Sequence, residues 1–263
     1  MKKNNIKETT VPRLLDESTP FAIRESFNLL RTNLMYTINE EMGSCPVFAI
    51  TSTGENTGKS TLIANLALSF TSISKRVLLI DGDMRCPALY RFFKLNPREK
   101  GLSELISGME SDVTLHDIRP GLDLITSGRI PPNPSELITS ARFAEALEAW
   151  KKEYDIIFID FPPVGIVADS ISVCKSVNGY IFAVRSGKSN AKAVNAAIDS
   201  MEQIGAKIVG VVLNDFSLKG TGYGYDKSRY SRYAMSKYEQ SAMTRSAEKK
   251  SDKHKEKSKK CER

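Results

Sequence analysis

Val47–Leu62 reads VFAITSTGENTGKSTL, and the fold turns on it: an apolar run breaks into glycine and polar residues, then resumes with helical spacing. Its centre is Gly58-Lys59-Ser60-Thr61. A loop that wraps a phosphate needs bare backbone N–H groups, a lysine that reaches the β and γ oxygens, and a hydroxyl for Mg²⁺. All three are present. The consensus GxxxxGK(S/T) would put its first glycine at position 53, where this chain has Thr53, with Gly54 one place later. The context is that of a phosphate loop, with strand-like VFAIT before it and helix-like LIANLALSF after it. Contacts to a nucleotide, ATP with Mg²⁺, are therefore expected from Gly54, Glu55, Asn56, Thr57, Gly58, Lys59, Ser60 and Thr61.

Downstream, a helix is expected over 60–74, then a buried strand Arg76–Ile80 that runs into Asp81-Gly82-Asp83-Met84-Arg85. Acidic residues at the carboxyl end of a parallel strand, beside a phosphate loop, face the ligand crevice of an open α/β sheet. A further apolar run, Ile156–Ile159, ends on Asp160, the place of a second acidic group that polarises a metal's water shell. Phe161-Pro162-Pro163 then stops the strand, since proline donates no hydrogen bond. Short strands are also expected at Leu122–Ile125, Gly179–Val184 and Ile208–Leu213, with helices over Ala141–Tyr154 and about 190–204. Residues 86–121 read as helices and loops, and 128–134 as a rigid proline-rich loop leading to a helix opened by Pro134 or Ser135. Asn214 ends the last strand, on the rim where a base would lie. The βα alternation argues a P-loop NTPase-like α/β fold, a mainly parallel sheet with helices on both faces.

Upstream, Thr19-Pro20 reads as an N-cap and first helical position, and Ile23, Phe27, Leu30 and Leu34 recur at helical steps. An amphipathic helix over 20–38 follows, with Arg24, Glu25, Asn28 and Arg31 on its polar face. The 263 residues thus divide into an arm (1–17), one domain (18–219), a tyrosine-rich tail (220–240) and a basic low-complexity end (241–263). Residues 245–263 carry nine Lys/Arg against four Asp/Glu, which accounts for five of the net +7 and leaves the body nearly neutral. No nucleic-acid partner is expected from so balanced a body. Cys45, Cys86, Cys174 and Cys261 have no paired or metal-ligand spacing, which reads as a reducing compartment. No signal-peptide core or membrane-length run is present, so the expected location is the cytoplasm. Five of the nine tyrosines, Tyr223, Tyr225, Tyr230, Tyr233 and Tyr238, sit in a glycine-, serine- and lysine-rich stretch with the composition of a flexible tail. They read as phosphorylation acceptors or as a stacking surface for single-stranded RNA.

In order, these parts resemble one family, the bacterial protein tyrosine kinases encoded with capsule and exopolysaccharide synthesis genes. The resemblance spans roughly residues 18–240 and rests on the GKS loop, the Leu78–Arg85 run ending DxDxR, the Ile157–Asp160 run with Pro162-Pro163, the PPNP loop and the tail tyrosines. A neighbouring family of partition and division-site ATPases carries a lysine early in the loop, where this chain has Gly54. The resemblance implies that Lys59 holds the β and γ oxygens, Ser60 ligates Mg²⁺, Asp83 and Asp160 orient the metal, and Asp81 steers the tyrosine proton. It further implies autophosphorylation of the tail in trans, within a homo-oligomeric ring built on an ExxRxxR helix. Its other implied partners are an activating membrane adaptor of the polysaccharide machinery and an opposing phosphotyrosine phosphatase. Two positions depart from the family pattern: Phe161 replaces a small polar residue, and Glu25, Asn28 and Arg31 give ExxNxxR.

Overall fold

The structure is a computed structural model that describes residues 14–96 and 100–216. Most of the arm, the tyrosine-rich tail and the basic end lie outside the described residues. In chain order the elements are α1 (Phe21–Thr37), β1 (Val47–Ser52), α2 (Lys59–Thr71), β2 (Val77–Asp81), α3 (Leu89–Phe92) and α4 (Leu102–Ser107). They continue as β3 (Leu115–Arg119), β4 (Leu122–Ile125), α5 (Pro134–Ile138), α6 (Ala141–Trp150) and β5 (Ile156–Asp160), then α7 (Asp169–Ser172), β6 (Gly179–Arg185), α8 (Ala191–Gln203) and β7 (Ile208–Asn214).

The seven strands form one sheet in the order β3-β4-β2-β5-β1-β6-β7, parallel throughout except for β3 against β4. The central strands β1, β2 and β5 are buried along their whole length. Alternation along each strand feeds two cores. Val47 and Ala49 of β1 join Leu102, Phe143, Leu147, Trp150 and Met201 from the helices of one face. Phe48 and Ile50 join Leu34 of α1, Leu62, Ile63, Leu66 and Phe70 of α2, and Leu89 of α3 on the other. Each such fully buried side chain stabilises the fold by about 1.5–3 kcal/mol relative to exposure. Register aligns Ile50 of β1 with Asp160, and Asp81 with Asp160, so the phosphate loop and both acidic strand ends emerge on one edge of the sheet.

Several expectations need correction. Pro20, not Thr19, is the residue before α1, and its carbonyl accepts from Ile23 and Arg24 while the Thr19 hydroxyl accepts from the Asp16 N–H. The 86–121 stretch contains a strand, β3, that was expected to be helix or loop. Its faces are only half sorted by polarity, and its pairing with β4 is irregular, as expected of an edge strand with little apolar surface to bury. Helix α6 stops at Trp150, four residues earlier than its apolar period suggested, and α7 was not foreseen. The polar face of α1 is not simply solvated, because Arg31 donates to the Ser69 carbonyl and to Ser72 Oγ at 2.9 Å, tying α1 to α2.

Candidate functional site

The phosphate loop joins β1 to α2 with Gly58 at φ +86°, a left-handed conformation that side-chain-bearing residues adopt at a cost. A Cβ there would also sit 2.1 Å from Asn214 Nδ2, so a larger residue would be strained and would displace that amide. Helix α2 begins at Lys59 with no side-chain cap, which leaves the N–H groups of its first turn for an anion. Glu55, Asn56, Gly58, Lys59, Ser60 and Thr61 line a cavity of about 610 Å³. Gly54 and Thr57 do not line it: the Gly54 carbonyl accepts from Ser52 Oγ, and Thr57 is buried with its hydroxyl unpartnered.

Lys59 Nζ lies 3.0 Å from Asp83 Oδ2 and 3.3 Å from Asp160 Oδ1. Burial alone would lower the Lys59 pKa, but the charges of Asp160 and Asp83 outweigh it and hold the ammonium firmly protonated. Asp160 is completely buried, and burial raises its carboxyl pKa despite Lys59 and a hydrogen bond from Ser60. Among the described residues its Oδ2 has no partner. Asp83 Oδ1 is pinned by the Cys86 N–H at 2.9 Å. Asp81 Oδ2 accepts from the Ala88 and Leu89 N–H groups at 3.1 and 3.0 Å, while its Oδ1 is buried without a partner. Burial, then the charge of Asp160, pushes the Asp81 pKa up to about 7.

That shift predicts a pH-dependent cost. In the unfolded chain Asp81 ionises near the ordinary carboxylate pKa of about 4, whereas in the folded protein it keeps its proton to about 7. The folded state therefore binds more protons between these values, and stability falls as pH rises through this window, with no contribution below it. Thermal unfolding of Asp81→Asn at pH 5 and pH 8 is expected to show a smaller loss over that interval than wild type. Equal losses would exclude Asp81 as the source.

Around this centre lie contacts that the sequence did not foresee, two of them made by Asp169 and Arg185, which it did not single out. Arg85 makes a two-pronged contact with buried Asp169, Nε at 2.8 Å and Nη2 at 3.2 Å, and Ser135 Oγ donates to the same carboxylate. Asp169 thus binds the DxDxR turn to the helix that follows the PPNP loop. On the other side, Arg185 donates to the Asn56 carbonyl at 2.8 Å and pairs with Asp215. Asn214 Nδ2 donates to the Thr57 carbonyl at 2.9 Å, so Asn214 braces the phosphate loop and does not line the cavity. Glu25 accepts from Asn28 Nδ2 at 2.8 Å on α1. Phe161 is fully buried in the core and likewise does not line the cavity.

The donors fit a hard divalent cation. Ser60, Asp83 and Asp160 offer only oxygen, and the orphaned Oδ2 of Asp160 lacks a partner. With Lys59 and the free N–H groups at the start of α2, the edge suits the phosphates of a nucleotide.

Comparison with known proteins agrees with this geometry. Residues 48–226 match the family model described as the CobQ/CobB/MinD/ParA nucleotide binding domain. Tyrosine-protein kinase CpsD of Streptococcus agalactiae serotype Ia is 36% identical over 202 residues, covering 76% of this chain and 85% of that protein. The putative tyrosine-protein kinase CapB of Staphylococcus aureus is 34% identical over 222 residues, 83% of this chain and 96% of that one. The kinase domain of the Escherichia coli tyrosine kinase ETK superposes with a TM-score of 0.69 at 31% identity, covering 83% of this chain and 90% of that domain. With matches running nearly end to end in relatives that share this site's scaffold, the chain belongs to the bacterial tyrosine-protein kinase family, built on the CobQ/CobB/MinD/ParA nucleotide-binding domain.

Proposed function

We propose that this chain is an ATP-dependent protein tyrosine kinase whose first acceptors are its own tail tyrosines, Tyr223, Tyr225, Tyr230, Tyr233 and Tyr238. The observation that carries the reading is Lys59 set between Asp83 and Asp160 at the mouth of the phosphate loop. Phosphoryl transfer is mostly positioning and charge neutralisation, and these residues supply both. Lys59 turns from the carboxylates to the β and γ oxygens when the triphosphate arrives, joined by N–H groups at the start of α2. Ser60, Asp83 and Asp160 would hold Mg²⁺, which when bound neutralises phosphate charge. The tyrosine oxygen forms a new bond to the γ phosphorus as the bond to the β–γ bridging oxygen breaks, and ADP leaves. Asp81, with its pKa pushed up to about 7, receives the phenolic proton.

The same reading extends to a setting. Transfer to a neighbour's tail within a homo-oligomeric ring, through Glu25, Asn28 and Arg31 on α1, fits a tail that starts beyond the last strand. Accumulated phosphates, each carrying about −1.5 to −2 charge, would repel one another and loosen the ring, and a phosphotyrosine phosphatase would restore it. None of the helices among the described residues is long and apolar enough to cross a membrane. Recruitment from the cytoplasm by a membrane adaptor that activates the kinase, with control of capsule or exopolysaccharide synthesis, completes the proposal.

Mass spectrometry of the full-length protein after incubation with ATP and Mg²⁺ tests it. Phosphotyrosine within Tyr223–Tyr238 is expected, rising when the adaptor's cytosolic segment is added. ADP without phosphotyrosine would instead place the chain with partition-type ATPases. Mixing wild type with Lys59→Met should label the variant's tail, and failure to do so would reject transfer between subunits.

A further inference from the structure

The phosphate loop forms only part of the cavity wall. Other parts of it come from Asp83, Arg85 and Cys86 after β2, from Ala88, Arg91 and Phe92 at α3, and from Pro163, Ile166 and Val167 after β5. Ile166, 57% exposed, and Phe92 offer apolar surface for a phenol ring entering toward Lys59. Two guanidinium groups line this side, Arg85 and Arg91. Arg85 is held by buried Asp169. Among the described residues Arg91 is held only by its neighbour: Nε donates to Tyr90 Oη at 2.9 Å, and its guanidinium lies 5.3 Å from the Tyr90 ring centroid. Among the described residues no carboxylate is within ion-pair distance of Arg91. Asp83 lines the same cavity, and at the acceptor mouth a cation with no carboxylate partner among the described residues marks where an anionic group is welcome.

We propose that Arg91 is a specificity-determining residue that favours acceptor tyrosines with an anionic group, a carboxylate or a phosphotyrosine phosphate, one or two residues away. The proposal rests on the kinase reading above. An extended acceptor advances about 3.3 Å per residue, so a group one or two positions from the tyrosine stays within reach of a guanidinium beside the ring. Arginine suits both carboxylate and phosphate because its forked donors match their oxygens. The chain's own tyrosines then fall into two classes. Tyr225 is followed by Asp226 and Tyr238 by Glu239, whereas Tyr230 and Tyr233 directly follow Arg229 and Arg232. Tyr225 and Tyr238 are used first. Tyr223 lies two residues from Tyr225, so phosphate on one of the pair recruits the other.

The test supplies full-length protein with peptides of residues 220–229, all with a single acceptor at Tyr225. The first carries Tyr223→Phe, the second adds Asp226→Asn, and the third combines Asp226→Asn with phosphotyrosine at position 223. Wild type is expected to prefer the first over the second by about fivefold in kcat/KM, mainly through KM, the scale of one partly screened charge contact. The third should recover that loss, and 0.5 M NaCl should shrink both differences. In Arg91→Gln the preference is expected to vanish, and in Arg91→Glu to vanish or reverse. An equal rate on the first two peptides with wild type, or an undiminished preference in both variants, overturns the proposal. A third peptide no better than the second overturns its phosphate arm while the carboxylate arm stands. ATP turnover with no peptide or tail tyrosine labelled overturns the kinase reading itself.

Discussion

Replacing Lys59 by methionine is expected to abolish tyrosine phosphorylation, lowering kcat by about 10³-fold or more, the scale seen when a preorganised charge is removed from a phosphoryl-transfer or oxyanion site. The same substitution should cost stability. The Lys59 side chain is only 11% exposed and stands against Asp83 and a completely buried Asp160, so its loss leaves two like charges facing each other. Removing one partner of a buried ion pair destabilises by about 3–5 kcal/mol when the remaining charge cannot escape. Here it escapes by binding a proton. Without Lys59 the folded-state pKa of Asp160 rises further above its unfolded value, so the folded variant binds more protons and loses stability as pH rises. The deficit against wild type is therefore expected to be small near pH 5 and to widen toward pH 8, measured by chemical denaturation across that range. A deficit independent of pH would mean that the methionine costs packing and not charge.

Much of this site is legible in the sequence because its parts are local. The loop, the two apolar strands and their terminal aspartates are each contiguous runs, and parallel registry then brings Asp81 level with Asp160. What stayed hidden depends on partners distant in sequence. Arg85 meets Asp169 across 84 positions, Ser135 reaches the same carboxylate across 34, and Arg185 reaches the phosphate loop across 129. An isolated aspartate, serine or arginine has no periodicity that announces such a contact. The four residues of α7 are likewise too few to show a hydrophobic period. Asn214 was placed at the correct strand end, but its distance to the loop depended on a seven-strand order that no local pattern encodes.

Phe161 carries the second large prediction, because its departure from the family pattern is explained by a neighbour. Its ring is fully buried in the core beneath the acidic edge, and a Cβ built on Gly82 would lie 2.9 Å from its Cε1. The bulky residue after Asp160 and the missing side chain between Asp81 and Asp83 are thus one size-matched pair. Phe161→Thr is expected to cost about 3–5 kcal/mol, since it opens a cavity and buries a hydroxyl in apolar surroundings. Gly82→Ala alone should cost about 1–3 kcal/mol by forcing the ring and Ile159 aside. The double variant is expected to be more stable than the sum of the two losses by about 1 kcal/mol or more, because the methyl enters space that the ring vacates. Urea unfolding of the four proteins measures that coupling directly, and strict additivity would show that the two residues do not share the space. Turnover of Phe161→Thr, assayed well below its unfolding temperature, should stay near wild type even though stability falls. The ring packs the core and leaves the cavity wall to Pro162 and Pro163, so the size of this residue is set by Gly82 and not by the chemistry at Asp160.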